Sequence, residues 1–341
     1  MTGRRPTVLV ARLDADGDVL LAGPTVRAVA AAARVVLLVG PRGRQAGALL
    51  PGVDELLVWA APWIEPAPAP AVTAEHVDGL VRSVRSLGVD RAVLLTSFHQ
   101  SALPLALILR LAGVRHIGAI SEDYPGSLLD VRVPDPGDRP EPERGVAVAA
   151  ANGFPLPAGD DGRLAVRRPL PDTAALTGPG GYVVLHPGTS VTARAWPEQR
   201  WAETAQFLSR QGVRVVVTGG PPEAELTARV AACGGQDLGG RTTLPELADV
   251  LARAAAVVVA NTGPAHLAAA VGTPVVSLFA PTVPAARWAP YGVPVALLGD
   301  QLATCRGTRA TTCQVPGHPC LTSVTAADVA GALADLAEVA A

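Results

Sequence analysis

Val257-Val258-Val259-Ala260-Asn261-Thr262-Gly263-Pro264-Ala265-His266-Leu267 reads as a buried strand that turns sharply into a helix. The run 257–260 is apolar without interruption, the mark of a strand covered on both faces. Pro264 suits the first turn of a helix, where a missing N–H costs no hydrogen bond. Such a turn leaves the first helical amides, and the positive end of the helix dipole, directed at whatever binds there. The chemistry this suits is an anion, a diphosphate in particular. Thr262 adds a hydroxyl donor. His266, one turn into the helix, either meets the same ligand or buttresses the loop.

The same unit recurs outward in both directions. Strands are expected at 182–185 and 213–218, and helices at 198–211, 222–233, 243–254 and 264–271. A strand at 275–279 follows, and 325–339 carries apolar residues at helical spacing. The first half repeats the alternation, with strands at 7–11, 35–39, 56–59, 91–96 and 116–120. Helices are expected there at 19–33, 76–87 and 101–112. The segment 60–72, with Pro62, Pro66, Pro68 and Pro70, reads as loop. Strands alternating with helices imply parallel sheets covered on both faces. The fold class is therefore α/β, two Rossmann-like doubly wound domains facing a central cleft, with a linker near 169–181. A length of 341 residues suits two domains. Ligands bind such sheets at the carboxyl ends of their strands.

Three further turns fall on those edges. After the first strand comes Arg12-Leu13-Asp14-Ala15-Asp16-Gly17-Asp18. It is no G-x-G-x-x-G turn, which argues against a dinucleotide there. Asp18 precedes a helix, where it either caps the helix or serves as a general base. Asp14 and Asp16 also match a D-x-D arrangement that can hold a divalent metal; capping and acid–base work are the preferred readings. The second half opens with His186-Pro187-Gly188-Thr189-Ser190, followed by Arg194-Ala195-Trp196-Pro197. Hydroxyls and amides there can hold phosphate oxygens, and Arg194 can neutralise them with a forked guanidinium. In Thr218-Gly219-Gly220-Pro221-Pro222-Glu223, Glu223 either holds ribose hydroxyls or favours the helix start.

Apolar residues make up 49% of the chain and charged residues 17%, too little charge for disorder. The 28 basic residues are all arginine, which points to a GC-rich genome, and the formal net charge is −2. No global field draws the protein to nucleic acid or to anionic lipid. The first residues resemble no secretory leader, because Asp14, Asp16 and Asp18 interrupt the apolar run, and no membrane span is visible. A cytoplasmic location is expected. Cys305, Cys313, His318 and Cys320 offer ligand types that suit zinc, but without a C-x2-C knuckle they read as free or structural.

Taken together, these motifs resemble glycosyltransferase family 9, the ADP-heptose-dependent heptosyltransferases of lipopolysaccharide synthesis. The resemblance rests on Arg12–Asp18, the P-G-V-D-E of 51–55, His186–Ser190 and Trp196-Pro197. It also rests on Thr218–Gly220, the run 261–274, the F-x-P-T of 279–282 and Pro290-Tyr291-Gly292. It implies a GT-B fold with an acceptor domain over 1–170 and a nucleotide-sugar domain over 181–324. A closing helix over 325–341 would pack back on the first domain. It implies inverting transfer without metal or other cofactor. Asp18 would be the base. Arg12, Gly17, Thr189, Ser190, Arg194, Gly219, Glu223, Asn261, Thr262, Gly263 and His266 would bind substrates. Two departures stand out. Asn261 replaces a common aspartate, and Asp14 and Asp16 replace small or apolar residues. The implied donor is ADP-heptose. The acceptor would be a glycan, a lipid-linked sugar or a secondary metabolite. Rival readings are a nucleotide-sugar epimerase on the same scaffold and a non-catalytic nucleotide-sugar-binding protein.

Overall fold

The computed structural model describes residues 5–97 and 99–340. The chain divides into two units, Met1–Arg167 and Arg168–Ala341. The first holds strands β1 (Thr7–Arg12), β2 (Arg34–Val39), β3 (Glu55–Val58), β4 (Arg91–Leu94), β5 (His116–Ile120) and β6 (Val131–Val133). They form one sheet in the order β3-β2-β1-β4-β5-β6. Its pairings are parallel, and Val10 of β1 lies between Leu37 and Val93. Every residue of β1 is buried, as an apolar run at the centre of a parallel sheet requires.

The helices of this unit are α1 (Asp16–Leu21), α2 (Gly23–Ala30), α3 (Arg44–Leu49), α4 (Ala74–Ser86), α5 (Leu103–Leu111) and α6 (Glu141–Ala151). The single helix expected over 19–33 is two. Pro24 has no N–H to donate, so the chain restarts at Gly23 with Ala22 as hinge. Asp18 is not the cap. The first helix begins two residues earlier, with Ala15 extended at its N-cap, and Asp18 lies in its first turn.

The second unit repeats the plan. It holds β7 (Val183–His186), β8 (Val215–Val217), β9 (Gln236–Asp237), β10 (Ala256–Ala260), β11 (Val275–Leu278) and β12 (Val295–Leu298). The order is β12-β11-β10-β7-β8-β9, again parallel. Numbered within its own unit, each sheet has the order 3-2-1-4-5-6 of a Rossmann fold. The helices are α7 (Ala174–Thr177), α8 (Glu198–Arg210), α9 (Ala224–Ala231), α10 (Leu244–Ala252), α11 (Gly263–Val271), α12 (Ala285–Trp288), α13 (Pro319–Thr322) and α14 (Ala326–Ala340).

Val329, Ala332 and Leu336 of the closing helix α14 belong to the second unit's own core, with Trp196, Trp201, Val258 and Val276. Trp196 and Trp201 meet edge to face at 5.0 Å and present a broad apolar surface, which this helix helps to cover. Among the described residues no helix is long and apolar enough to cross a membrane.

Candidate active site

In a sheet of this order the crevice lies where the winding reverses, between the first and fourth strands. In the first unit that point falls between β1 and β4, and Arg12 stands at it as the last residue of β1. Its side chain is 4% exposed, and its guanidinium gathers three carboxylates. Nη2 donates to Asp18 Oδ1 at 2.8 Å and to Ser97 Oγ at 2.7 Å. Nε lies 3.0 Å from Asp14 Oδ2, and Nη1 donates to Glu141 Oε2 at 3.4 Å. Burial opposes the charge on Arg12, but Asp14, Asp18 and Glu141 outweigh it and hold the group protonated above its usual range.

The three aspartates of the loop have separate tasks. Burial pushes the Asp14 carboxyl up, Arg12 pulls it back, and Asp18 adds to the rise. Asp14 Oδ1 accepts from Gln100 Nε2 at 2.7 Å, and Gln100 Oε1 in turn accepts the Ser97 amide at 2.9 Å. Asp16 accepts the Ala46 amide at 2.9 Å, and burial pushes its carboxyl up. Asp14 and Asp16 are thus spent on different partners rather than paired as a D-x-D site. Asp18, with 26% of its side chain exposed, is the carboxylate of the Arg12 network most open to solvent. Arg12 is buried, lines a cavity at this edge and holds that carboxylate. Gly17 lies beside Asp18 in the first turn of α1.

In the second unit the reversal falls between β7 and β10. Asn261 follows β10 directly and is 5% exposed. Neither its Nδ2 nor its Oδ1 has a hydrogen-bond partner among the described residues. A buried amide left unsatisfied costs about 1–3 kcal/mol, so this one points to a ligand. Its backbone carbonyl accepts Arg194 Nη1 at 3.1 Å, which brings Arg194 to the same edge. The turn that carries Arg194 is fixed from below: the Ala193 amide donates to Thr311 O at 3.0 Å, and Trp196 Nε1 donates to Leu321 O at 3.0 Å. Thr262 is the extended N-cap of α11, and its side chain makes no cap bond. Gly263 opens the helix, and Gly272 at φ 89° ends it in the left-handed region that favours glycine. His266 is buried within the first turns of α11.

The neighbouring loops are joined by Glu223. Its Oε2 accepts the Gly220 amide at 2.7 Å, so the carboxylate closes the start of the helical turn that follows Gly219 and Gly220. It packs against Gly188 so closely that a Cβ there would lie 1.9 Å from Oε1, and any larger residue would have to displace the carboxylate. His186 Nδ1 lies 2.9 Å from Thr218 Oγ1, and burial pushes this histidine down to about 4, so it is neutral at neutral pH. Thr189 accepts the Val191 amide at 3.3 Å, and Ser190 is exposed on the same loop.

The sequence reading passed over Ser97, Gln100, Glu141 and Arg144. Glu141 and Arg144 sit three apart on α6, and that spacing was the available signal. Thr282, past β11, was also missed as a site residue; its buried hydroxyl has no partner among the described residues. The four cysteines are free. Burial, with Cys305 and Cys313 alongside, pushes the Cys320 thiol up to about 11. Among the described residues no group of three or more His, Cys, Asp or Glu side chains is arranged to hold a metal.

Two Rossmann-ordered units with a ligand edge on each define the GT-B class, and solved structures of that class match the chain over nearly its whole length. A family 9 glycosyltransferase from Veillonella parvula superposes with a TM-score of 0.80 at 17% identity, covering 99% of each chain. The E. coli ADP-heptose lipopolysaccharide heptosyltransferase II gives 0.73 at 21% identity, covering 98% of this chain and 99% of the other. An E. coli heptosyltransferase solved with ADP-2-deoxy-2-fluoro heptose gives 0.71 at 22%, covering 96% and 99%.

Residues 78–316 match the family model for glycosyltransferase family 9 (heptosyltransferase), and the chain belongs to that family. It is similar to lipopolysaccharide heptosyltransferase 1 of Pseudomonas aeruginosa, 39% identical over 109 residues, which are 30% of each chain. With lipopolysaccharide heptosyltransferase 2 of Escherichia coli it shares 30% identity over 232 residues, 60% of this chain and 64% of the relative. The matches to the first of these curated relatives span about a third of their length.

Proposed function

We propose that this protein transfers a sugar from a nucleoside diphosphate donor, ADP-heptose, to an acceptor hydroxyl, with inversion and without a metal ion. The observation that carries the reading is Asp18, a partly exposed carboxylate set by a buried arginine at the reversal point of the first sheet. Asp18 takes the proton of the acceptor hydroxyl as the oxygen attacks the anomeric carbon. Asn261, Thr262, Gly263 and Arg194 hold the donor at the corresponding edge of the second sheet. As the sugar–phosphate bond breaks, negative charge grows on the departing diphosphate. The first amides of α11 and the Arg194 guanidinium stabilise it, and being fixed in advance they need no reorganisation to do so.

Metal independence is supported by the spent carboxylates of Asp14 and Asp16, each bonded within the protein. The Asn261 carboxamide supports a sugar-contacting role, since it can donate to one hydroxyl and accept from another. Support for ADP-heptose comes from family membership and from a neighbouring structure that carries a fluorinated analogue of it. We place the reaction in the cytoplasm, where nucleotide sugars are made, with a glycan, lipid-linked or secondary-metabolite acceptor. The test is product formation from ADP-heptose in excess EDTA, read by NMR at the anomeric carbon. The account expects undiminished rate and inverted configuration. Loss that magnesium restores, or retained configuration, overturns it.

A further inference from the structure

Glu141 is nearly as deep as any carboxylate in the first unit, with 4% of its side chain exposed, yet it lies at the edge where the proposed base stands. It opens α6, 129 residues from Arg12 in sequence. Its Oε2 accepts Arg12 Nη1 at 3.4 Å, and its Oε1 lies 3.0 Å from Arg144 Nε. Arg144 Nη1 is anchored in turn by Asp135 Oδ1 at 2.5 Å and Gly137 O at 2.6 Å. Arg12, Thr96, Ile120, Glu141, Arg144 and Gly145 line a cavity at this edge. Glu141 therefore bridges two arginines, one fixed to its own helix and loop, the other holding Asp18.

We propose that Glu141 is a positioning residue that acts on Asp18 through Arg12. This rests on the reading of Asp18 as the base. Two effects follow from the geometry. The first is mechanical: Nη1 drawn toward Glu141 and Nε toward Asp14 fix the plane of the guanidinium, while Nη2 donates to Asp18 Oδ1 at 2.8 Å. A planar fork held at three corners cannot rotate to grip Asp18 with two nitrogens. The second is electrostatic. The negative charges of Asp14 and Glu141 beside Arg12 offset part of its field at Asp18. Glu141 meets Arg12, which in turn meets Asp18, so its effect on Asp18 passes through Arg12.

The acceptor need not be known for the test. Single-turnover release of ADP from ADP-heptose, with water as acceptor, uses the same base. Glu141→Gln keeps the shape, removes the charge and leaves one acceptor oxygen where two arginines each had one. Its rate is expected to fall about 10- to 100-fold, the scale of a misplaced catalytic group, with the half-saturating ADP-heptose concentration unchanged within twofold. Glu141→Asp, which restores the charge, is expected to recover most of the rate. Wild-type rate in Glu141→Gln, equal loss in both variants, or loss of folded protein in Glu141→Gln by circular dichroism would overturn the proposal. Asp18→Asn is run alongside. If it turns over normally the reading of the base fails, whereas an inactive Asp18→Asn with a normal Glu141→Gln sinks only the role of Glu141.

Discussion

Arg12→Met tests whether the arginine at the end of β1 holds the edge of the first sheet together. Methionine keeps the unbranched apolar stem of the side chain and removes its charge and all its donors. Asp14, with 11% of its side chain exposed, then loses its cation, and Glu141, at 4%, loses one of its two arginines. Breaking a buried ion pair from one side costs about 3–5 kcal/mol, because the remaining charge stays desolvated. At roughly 2–4 °C per kcal/mol for a unit of this size, the first thermal transition falls by about 6–20 °C. The deficit depends on pH in a fixed direction. Without the cation the folded-state carboxylates titrate above their unfolded values of about 3.9–4.3. The folded variant therefore takes up protons first on acidification, and its deficit shrinks between pH 8 and pH 5. Thermal unfolding followed by circular dichroism at both pH values measures this. A loss below about 1 kcal/mol, or a deficit that widens toward pH 5, refutes the argument from burial.

Asn261→Leu removes a buried amide that has no partner, so the apo protein is expected to lose less than about 1 kcal/mol or to gain stability. ADP-heptose should then produce a much smaller thermal shift than in wild type, and an equal shift would separate Asn261 from the donor. His186 is held near 4 by burial, below an unfolded value of about 6.5. The unfolded chain thus binds the proton first, and the contribution of His186 to stability, complete above about pH 6.5, is lost as pH falls toward 4, at up to about 1.4 kcal/mol per pH unit. The ring carbon signals of His186 in NMR should not titrate above pH 5; a midpoint near 6.5 would place the ring in solvent.

The central strands were legible because β1, β2, β7, β10 and β11 are short apolar runs covered on both faces, and their sequence carries that burial directly. Strands β6, β9 and β12 were not. They have three, two and four residues, mostly only half-covered, so they carry too little pattern to read. The break at Gly23-Pro24 was visible in the proline but lost under the continuous apolar spacing on either side. Asn261 and Thr262 were picked out because they directly follow a buried strand, and Asp18 because it lies in the turn after one; the sheet order puts those strand ends at the reversal points. The work of Arg12 was hidden, since three of its partners lie 85, 129 and two residues away and only the fold assembles them. Glu141 and Arg144 were masked by the Ala- and Val-rich helix around them, whose apolar face dominated the reading.

The central claim is that a carboxylate at residue 18 takes the proton from the incoming oxygen while the second unit binds the nucleotide. The direct measurement is ADP release from ADP-heptose by Asp18→Asn, with the affinity for ADP determined by calorimetry on the same protein. The account predicts a rate about 10²–10⁴-fold below wild type with ADP affinity unchanged. A rate within a few fold of wild type would contradict it.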